Sequence, residues 1–159
     1  DVVIPNRYSY IDFGEKEQDN PLEWDKISAV EYTPWSSNFD YSSAIEKSKL
    51  RIKSNEYLKL IDDNAKWIKS VRDNEEFTLN YFTYVDKIKE DELTSKSFDK
   101  LKEFKTNLEF KSLPYEMSLF EKDSTLELKR NRWHKNLAKD LYIEEALNVL
   151  NDLKISYNN

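Results

Sequence analysis

His134 is the first residue to consider for covalent chemistry, because it is the only histidine of the chain. It lies in Arg-Asn-Arg-Trp-His-Lys-Asn (130–136), and a Ser-His-Asp arrangement also needs an acid that orients the ring. No acid lies in this run. A zinc site needs three or four ligands, and one histidine in a chain without cysteine supplies too few. We therefore predict that His134 is an ordinary helix residue.

Other reactive pairs can be nominated, but their spacing does not distinguish them from ordinary surface residues. Ser48–Lys49 has the residue types of a Ser/Lys dyad, for which sequence spacing provides no rule. The acidic runs lack the apolar setting that raises a carboxyl pKa toward catalytic use. A single glycine, Gly14, excludes a Gly-rich phosphate loop. The residues thus predict no catalytic, cofactor-binding or metal-ligating site.

The basic run at residues 128–139 invites a nucleic-acid interpretation, because Trp133 is interleaved with five cations. On a helix, however, these charges are expected to spread around most of the circumference, with Trp133 on an apolar face beside Leu126 and Leu137. The chain carries 25 Lys+Arg against 31 Asp+Glu, a net charge of −6, which opposes phosphate binding. We predict a solvated helix face and no nucleic-acid partner.

Composition indicates one mainly helical domain. The 159 residues suffice for one sizeable core, and one Gly with four Pro disfavours a β-sandwich built from tight hairpins. No apolar run approaches the ~18 residues that a membrane span needs, so no span is predicted.

Periodicity predicts about five helices. Asp40 is expected to cap the first, which runs to about Ser54, and Ser54 or Asn55 to cap a second that ends at Asp73-Asn74. Residues 77–85 alternate as a strand would but also fit a helix, which we favour from about residue 79. The second helix has the clearest amphipathic pattern, at Tyr57, Leu58, Ile61, Ala65, Ile68 and Val71.

The later elements are predicted in the same way. With Thr78 as its N-cap, the third helix continues, or restarts at Ser97, through about Phe104, and residues 107–123 form a loop around Pro114. The run from Ser124 to Glu127 has the pattern of a capping box, which predicts that a helix begins there with Ser124 as its N-cap. Asp140 caps a last helix. Its inward residues are predicted to be Ile143, Ala146, Leu147, Leu150 and Leu153.

The N-terminal third looks irregular. Trp24, Tyr32 and Trp35 are expected to pack onto the helices, because exposing such rings costs about 1.5–3 kcal/mol each. Asp-Val-Val-Ile-Pro (1–5) reads as a short strand ended by proline. From local sequence it is either a mobile terminus or the last strand of a larger unit.

The order of motifs resembles the end of the tail-specific proteases, also called C-terminal processing peptidases. In that family the peptidase core ends in a strand followed by proline, as in residues 1–5. A Gly-Glu pair follows, here Gly14-Glu15, and then the motif Asn-Pro-Leu-Glu-Trp-Asp-Lys-Ile at 20–27. Relatives often carry Pro where Glu23 stands. The resemblance continues through Arg51-Ile52, Leu79-Asn80 and the closing helix near 140–153, so it covers nearly the full chain.

The resemblance implies a non-catalytic helical domain of a periplasmic protease. Family members carry a PDZ domain and a peptidase core with a nucleophilic Ser and a general-base Lys, both upstream of this region. Residues 1–19 would then be the end of the core and a linker, and 20–159 the helical domain. The implied partners are the peptidase and PDZ domains of the same parent chain, protein substrates with apolar C-termini, and an adaptor. Two alternatives remain, a free-standing helical interaction module and an enzyme that depends on His134.

Overall fold

Six α-helices make up most of the molecule in the computed structural model, which describes residues 2–23, 25–33 and 40–157. Short 3-10 helices lie at Glu15–Glu17 and Phe98–Glu103. No strand forms among the described residues, so the mainly helical prediction is confirmed. The helices are α1 (Ser42–Ser54), α2 (Glu56–Arg72), α3 (Tyr81–Ser97), α4 (Pro114–Phe120), α5 (Ser124–Leu137) and α6 (Leu141–Tyr157).

Two of the predicted caps define helix starts. The Asn55 side-chain oxygen accepts the N–H groups of Tyr57 and Leu58 at 2.9 and 3.1 Å. Asp140 accepts the N–H groups of Tyr142 and Ile143 at 2.9 and 3.3 Å. Each satisfies two of the amide donors that a helix N-terminus leaves unpaired.

Two other predicted caps are displaced. Asn80, and not Thr78, caps α3 by accepting the N–H of Thr83. Asp123, and not Ser124, caps α5 by accepting the N–H groups of Thr125 and Leu126. The carboxylate of Asp123 is favoured there because its charge also complements the positive end of the helix dipole.

Helix α4 occupies part of the segment that the sequence predicts to be a loop. Pro114 is its first residue, where the missing N–H of proline costs nothing and its fixed φ suits a helix. The Glu116 side chain then accepts the N–H of Leu113 at 3.2 Å. A proline expected to break structure therefore starts a helix.

The core lies around α2. Helix α1 packs on α6 and on α2, and α2 also packs on the 3-10 segment Phe98–Glu103. Ring contacts join Tyr57 to Phe104 and Trp67 to Phe98, at centroid distances of 5.1 and 5.7 Å. The buried apolar residues of the described chain are Ala44, Leu58, Ala65 and Leu141.

The accessible surface is large for the mass of the chain. It measures 13928 Å², whereas a compact monomer of this mass exposes about 8,400 Å². Many large apolar side chains are exposed, including those of Phe77, Leu79 and Phe82 before and within α3. The helices therefore present much apolar surface that their own packing does not cover.

The N-terminal segment differs from its prediction. Val2–Ile4 forms no strand, because a strand requires a neighbouring strand for its backbone hydrogen bonds. Tyr32, expected to pack on the helices, is 81% exposed. Trp24 and Trp35 lie outside the described residues.

Candidate functional site

The residues nominated from sequence for chemistry are not assembled into a catalytic group. Ser48 is only 2% exposed and donates its hydroxyl to Glu145 at 2.7 Å, while Lys49 is exposed on the helix surface. His134 is half-buried in α5, with its ring 5.7 Å from that of Trp133. Among the described residues, no group of three or more His, Asp or Glu side chains could hold a metal ion.

A charged network joins α1 to α6 instead. The guanidinium of Arg51 donates to both oxygens of Glu145, with Nε–Oε2 and Nη2–Oε1 distances of 2.9 Å. Its Nη1 donates to Asp152 at 2.7 Å, and Lys47 Nζ lies 3.4 Å from the same carboxylate. Glu145 and Asp152 are both buried. Planar guanidinium geometry suits such paired contacts with carboxylates.

The network shifts the ionisation of its members. The hydrogen bond from Arg51 lowers the pKa of Asp152 below its ordinary value. The hydrogen bond to Glu145 raises the pKa of Arg51. Both shifts favour the charged forms of Arg51 and Asp152 and so strengthen the ion pair between them.

The N-terminal segment is held against α2 and α6 by three hydrogen bonds. Tyr142 Oη donates to the carbonyl of Pro5 at 3.0 Å, and Tyr10 Oη donates to Asp62 at 2.6 Å. Lys66 also binds Asp62, at 2.6 Å. Further along, Arg72 donates to the carbonyl oxygen of residue 12 at 3.4 Å. We refer to residues 2–13 as the N-terminal strap.

An open pocket of about 390 Å³ lies between the strap and the helices. Its walls combine Val3 and Pro5 of the strap with Ile52 of α1 and Leu58 of α2. Apolar side chains of the strap and of the helices therefore border this pocket together.

Helix α6 is oriented opposite to its prediction. The residues turned toward the rest of the domain are Leu141, Glu145 and Asp152, all of which are buried. Of the predicted inward residues, Ala146 is exposed, Leu147 is 41% exposed and Leu150 is 60% exposed. Ile143 and Leu153 are half-buried. The face that packs on α1 carries the partners of the Arg51 network together with Leu141, and it leaves Leu147 and Leu150 outward.

Helices α4 and α5 form a hairpin, which we call the α4–α5 arm (residues 113–139). Arg130 of α5 forms an ion pair with Glu116 of α4, which is buried. The guanidinium also lies over the ring of Trp133, 4.8 Å from its centroid. The end of the arm is held by the segment before it, because the N–H of Thr106 donates to the carbonyl of Ala138 at 2.8 Å.

Comparison with protein-family models gives one match. Residues 8–154 match the family described as "C-terminal domain of tail specific protease (DUF3340)". The chain belongs to this family. Comparisons with curated proteins and with solved structures gave no significant match.

No helix in the described ranges is long and apolar enough to cross a membrane. The family motif at residues 20–27 includes Asn20, which adopts a positive φ of 68°. Asparagine tolerates this left-handed conformation better than most residues.

Sequence reasoning missed the Arg51 network of this tail-specific protease domain. Ser48 and Arg51 are three residues apart, and Glu145 and Asp152 are seven apart, so each pair lies on one helix face. That spacing was an available signal. Charged residues at such spacings are common on solvated faces, however, so the signal lacked specificity.

Proposed function

We propose that this chain is the non-catalytic C-terminal helical domain of a periplasmic tail-specific (C-terminal processing) serine protease, whose substrates are proteins with apolar C-termini. Its role is architectural: it packs on the peptidase part of the parent chain and shapes the substrate chamber, or docks substrates and adaptors there. The family assignment supports this context, since the matched family is the C-terminal domain of tail-specific proteases.

The observation that carries the docking role is the outward apolar face of α6. Leu147 and Leu150 are exposed while the carboxylates of the same helix are buried against α1. Covering a leucine side chain contributes about 1.5–3 kcal/mol. Together with the large accessible surface, this face favours a neighbouring domain as the covering partner.

The domain division follows from the same proposal. Residues 1–19 would belong to the end of the peptidase core and its linker, and residues 20–159 to the helical domain. The hydrogen bonds that join the strap to Tyr142 and Asp62 would hold the peptidase core and the helical domain in a fixed relative orientation. A linker pinned at several points restricts relative motion more than a free linker does.

The chemistry of the parent would be supplied by its peptidase part. A Ser hydroxyl, deprotonated by a Lys amine that desolvation keeps neutral, attacks the scissile carbonyl, and backbone amides stabilise the oxyanion. A PDZ domain would hold the substrate tail. No catalytic residue, metal or cofactor is assigned to this chain.

Two parent variants test the proposal. A parent that ends near Pro5 should lose cleavage of a protein substrate with an apolar C-terminus. Leu147→Lys/Leu150→Lys should reduce cleavage in the full parent yet leave the unfolding midpoint of the 159-residue chain nearly unchanged. Asn148→Lys/Asn151→Lys is the matched control, because it adds the same charge at exposed polar positions of α6.

The opposite results would favour the alternative of a free-standing interaction module. Full cleavage by the parent that ends near Pro5 would show that the peptidase does not use this domain. Equal activity of the Leu→Lys variant and its control would show that the apolar face of α6 is not the docking surface.

A further inference from the structure

The five cations of α5 and the turn after it divide into two groups that the sequence does not separate. Arg130 is directed inward, where it binds Glu116 and covers Trp133. Lys129, Arg132, Lys135 and Lys139 are all exposed, and none has an ion-pair partner among the described residues. We call these four residues the α5 cationic stripe.

The stripe is confined to one side of the arm. At 100° per residue, Lys129, Arg132 and Lys135 fall within an arc of about 120°, and Arg130 lies outside that arc. With Arg130 included, the charges of α5 still spread around most of the helix, as predicted, and the exposed ones occupy one part of that spread. Leu128, which is 70% exposed, lies inside the same arc.

The stripe contrasts with the charge of the remaining chain. Residues 129–139 contain five of the 25 Lys+Arg and none of the 31 Asp+Glu, so the remainder has 20 cations, 31 acids and a net charge of −11. The part of the stripe from Lys129 to the end of α5 at Leu137 is about 12 Å long, and Lys139 follows in the turn after the helix. The stripe is a short positive surface on an otherwise acidic molecule.

We propose that the α5 cationic stripe binds an acidic segment of a partner protein. This inference deepens the proposed function and rests on it for the docking role, because it names the chemistry of one docked partner. Four cations with an apolar residue among them complement a short segment in which carboxylates and apolar side chains alternate. The ion pair between Arg130 and Glu116 fixes the helix that presents them.

The dimensions favour a protein segment over a nucleic acid or a membrane. A phosphate polymer would continue past this short stripe and approach the acidic remainder within the ~10 Å over which charges interact at moderate salt. An anionic bilayer would meet the same repulsion over a wider area. In addition, Arg130 already lies over the Trp133 ring, on which a base would otherwise stack.

The direct test is binding of a fluorescein-labelled peptide of alternating Glu and Leu to the 159-residue chain, followed by fluorescence anisotropy. The same peptide with Gln in place of Glu is the ligand control. We expect binding of the Glu peptide only, with affinity that falls as NaCl is raised. Binding of both peptides alike, or binding insensitive to salt, would overturn the proposal.

A variant of the stripe locates the site. Replacing Lys129, Arg132, Lys135 and Lys139 by Gln should weaken binding about tenfold. The control replaces four other exposed cations, Lys26, Lys49, Lys53 and Lys105, by Gln, and should retain most of the affinity. Equal losses of peptide affinity in the two variants would show that only the net charge of the chain matters, and they would overturn the assignment of the site to the stripe.

Folding and partner class are checked in the same series. The double variant Arg132→Gln/Lys135→Gln provides a milder change, for which a several-fold loss with unchanged circular dichroism is expected; no loss would contradict the proposal. Tighter binding of a short single-stranded oligonucleotide or of phosphatidylserine vesicles than of the Glu peptide would also overturn it. Because the measurement needs no proteolysis, its failure is distinct from failure of the parent-cleavage experiment.

Discussion

Arg51 of α1 and Glu145 of α6 are 94 residues apart in sequence and form a two-point ion pair with nitrogen–oxygen distances of 2.9 Å. This contact fixes which face of α6 is buried. A second carboxylate on the same face of α6, that of Asp152, accepts a hydrogen bond from Nη1 of the same guanidinium. One arginine thus holds the last helix in place.

Arg51→Ala should lower the free energy of unfolding by about 2–3 kcal/mol, because it leaves two buried carboxylates without their principal partner. Urea unfolding followed by circular dichroism measures this change. Lys53→Ala removes an exposed cation from the same helix and should change stability by less than about 0.5 kcal/mol. Similar small effects for both variants would contradict the assigned role of Arg51.

The lowered pKa of Asp152 predicts a loss of stability in acid. Its ordinary value is 3.8, and Arg51 and Lys47 favour the ionised form in the folded state. Its contribution is therefore present above that value and is lost as the pH falls through the lower folded pKa. Glu145, which also binds Arg51, is present both in the unmodified chain and in an Asp152→Asn variant, so its own titration contributes to both.

Asp152→Asn should consequently show a smaller decrease in unfolding free energy between about pH 5 and about pH 3 than the unmodified chain. Asp62, whose pKa is lowered mainly by Lys66, contributes to both proteins and cancels in the comparison. Identical pH dependence of the two proteins would show that Asp152 does not supply acid sensitivity.

Removing the tyrosine hydroxyls that bind the N-terminal strap to the helices should make the strap detach from them more often. Tyr10→Phe removes the 2.6 Å hydrogen bond to Asp62, and trypsin cleavage after Arg7 should accelerate about fivefold for a lost bond of about 1 kcal/mol. Tyr142→Phe should act in the same direction. Tyr84→Phe, at an exposed position of α3, is the control and should leave the cleavage rate unchanged.

A fluorophosphonate probe should label no serine of the chain. Ser48 has the residue types of a dyad with Lys49, but its hydroxyl is buried and donates to Glu145. A hydroxyl that is buried in this way is inaccessible to the probe. Mass spectrometry of the treated protein measures the outcome, and labelling at any serine would contradict the prediction of a chain without a nucleophile.

Features that depend on neighbours in sequence were predictable. Asn55 and Asp140 cap helices through amides two and three residues away, and the spacing of Leu58 and Ala65 identifies the buried face of α2. These interactions close within one or two turns, so a short window of sequence contains both partners. The family resemblance, confirmed by the match to residues 8–154, likewise depends on motif order.

Features that depend on distant partners were not predictable. The apolar pattern of α6 indicated Leu147 and Leu150 as inward residues, yet Arg51 selects the opposite face. Likewise, Glu116 draws Arg130 inward and leaves the other cations of α5 outside. Amphipathic periodicity reports which side chains share a face, but the choice of face depends on the surfaces that pack against it. The sequence alone thus determined the approximate positions of five helices and the caps at Asn55 and Asp140, whereas the tertiary structure decided which helix faces are buried and which remain available.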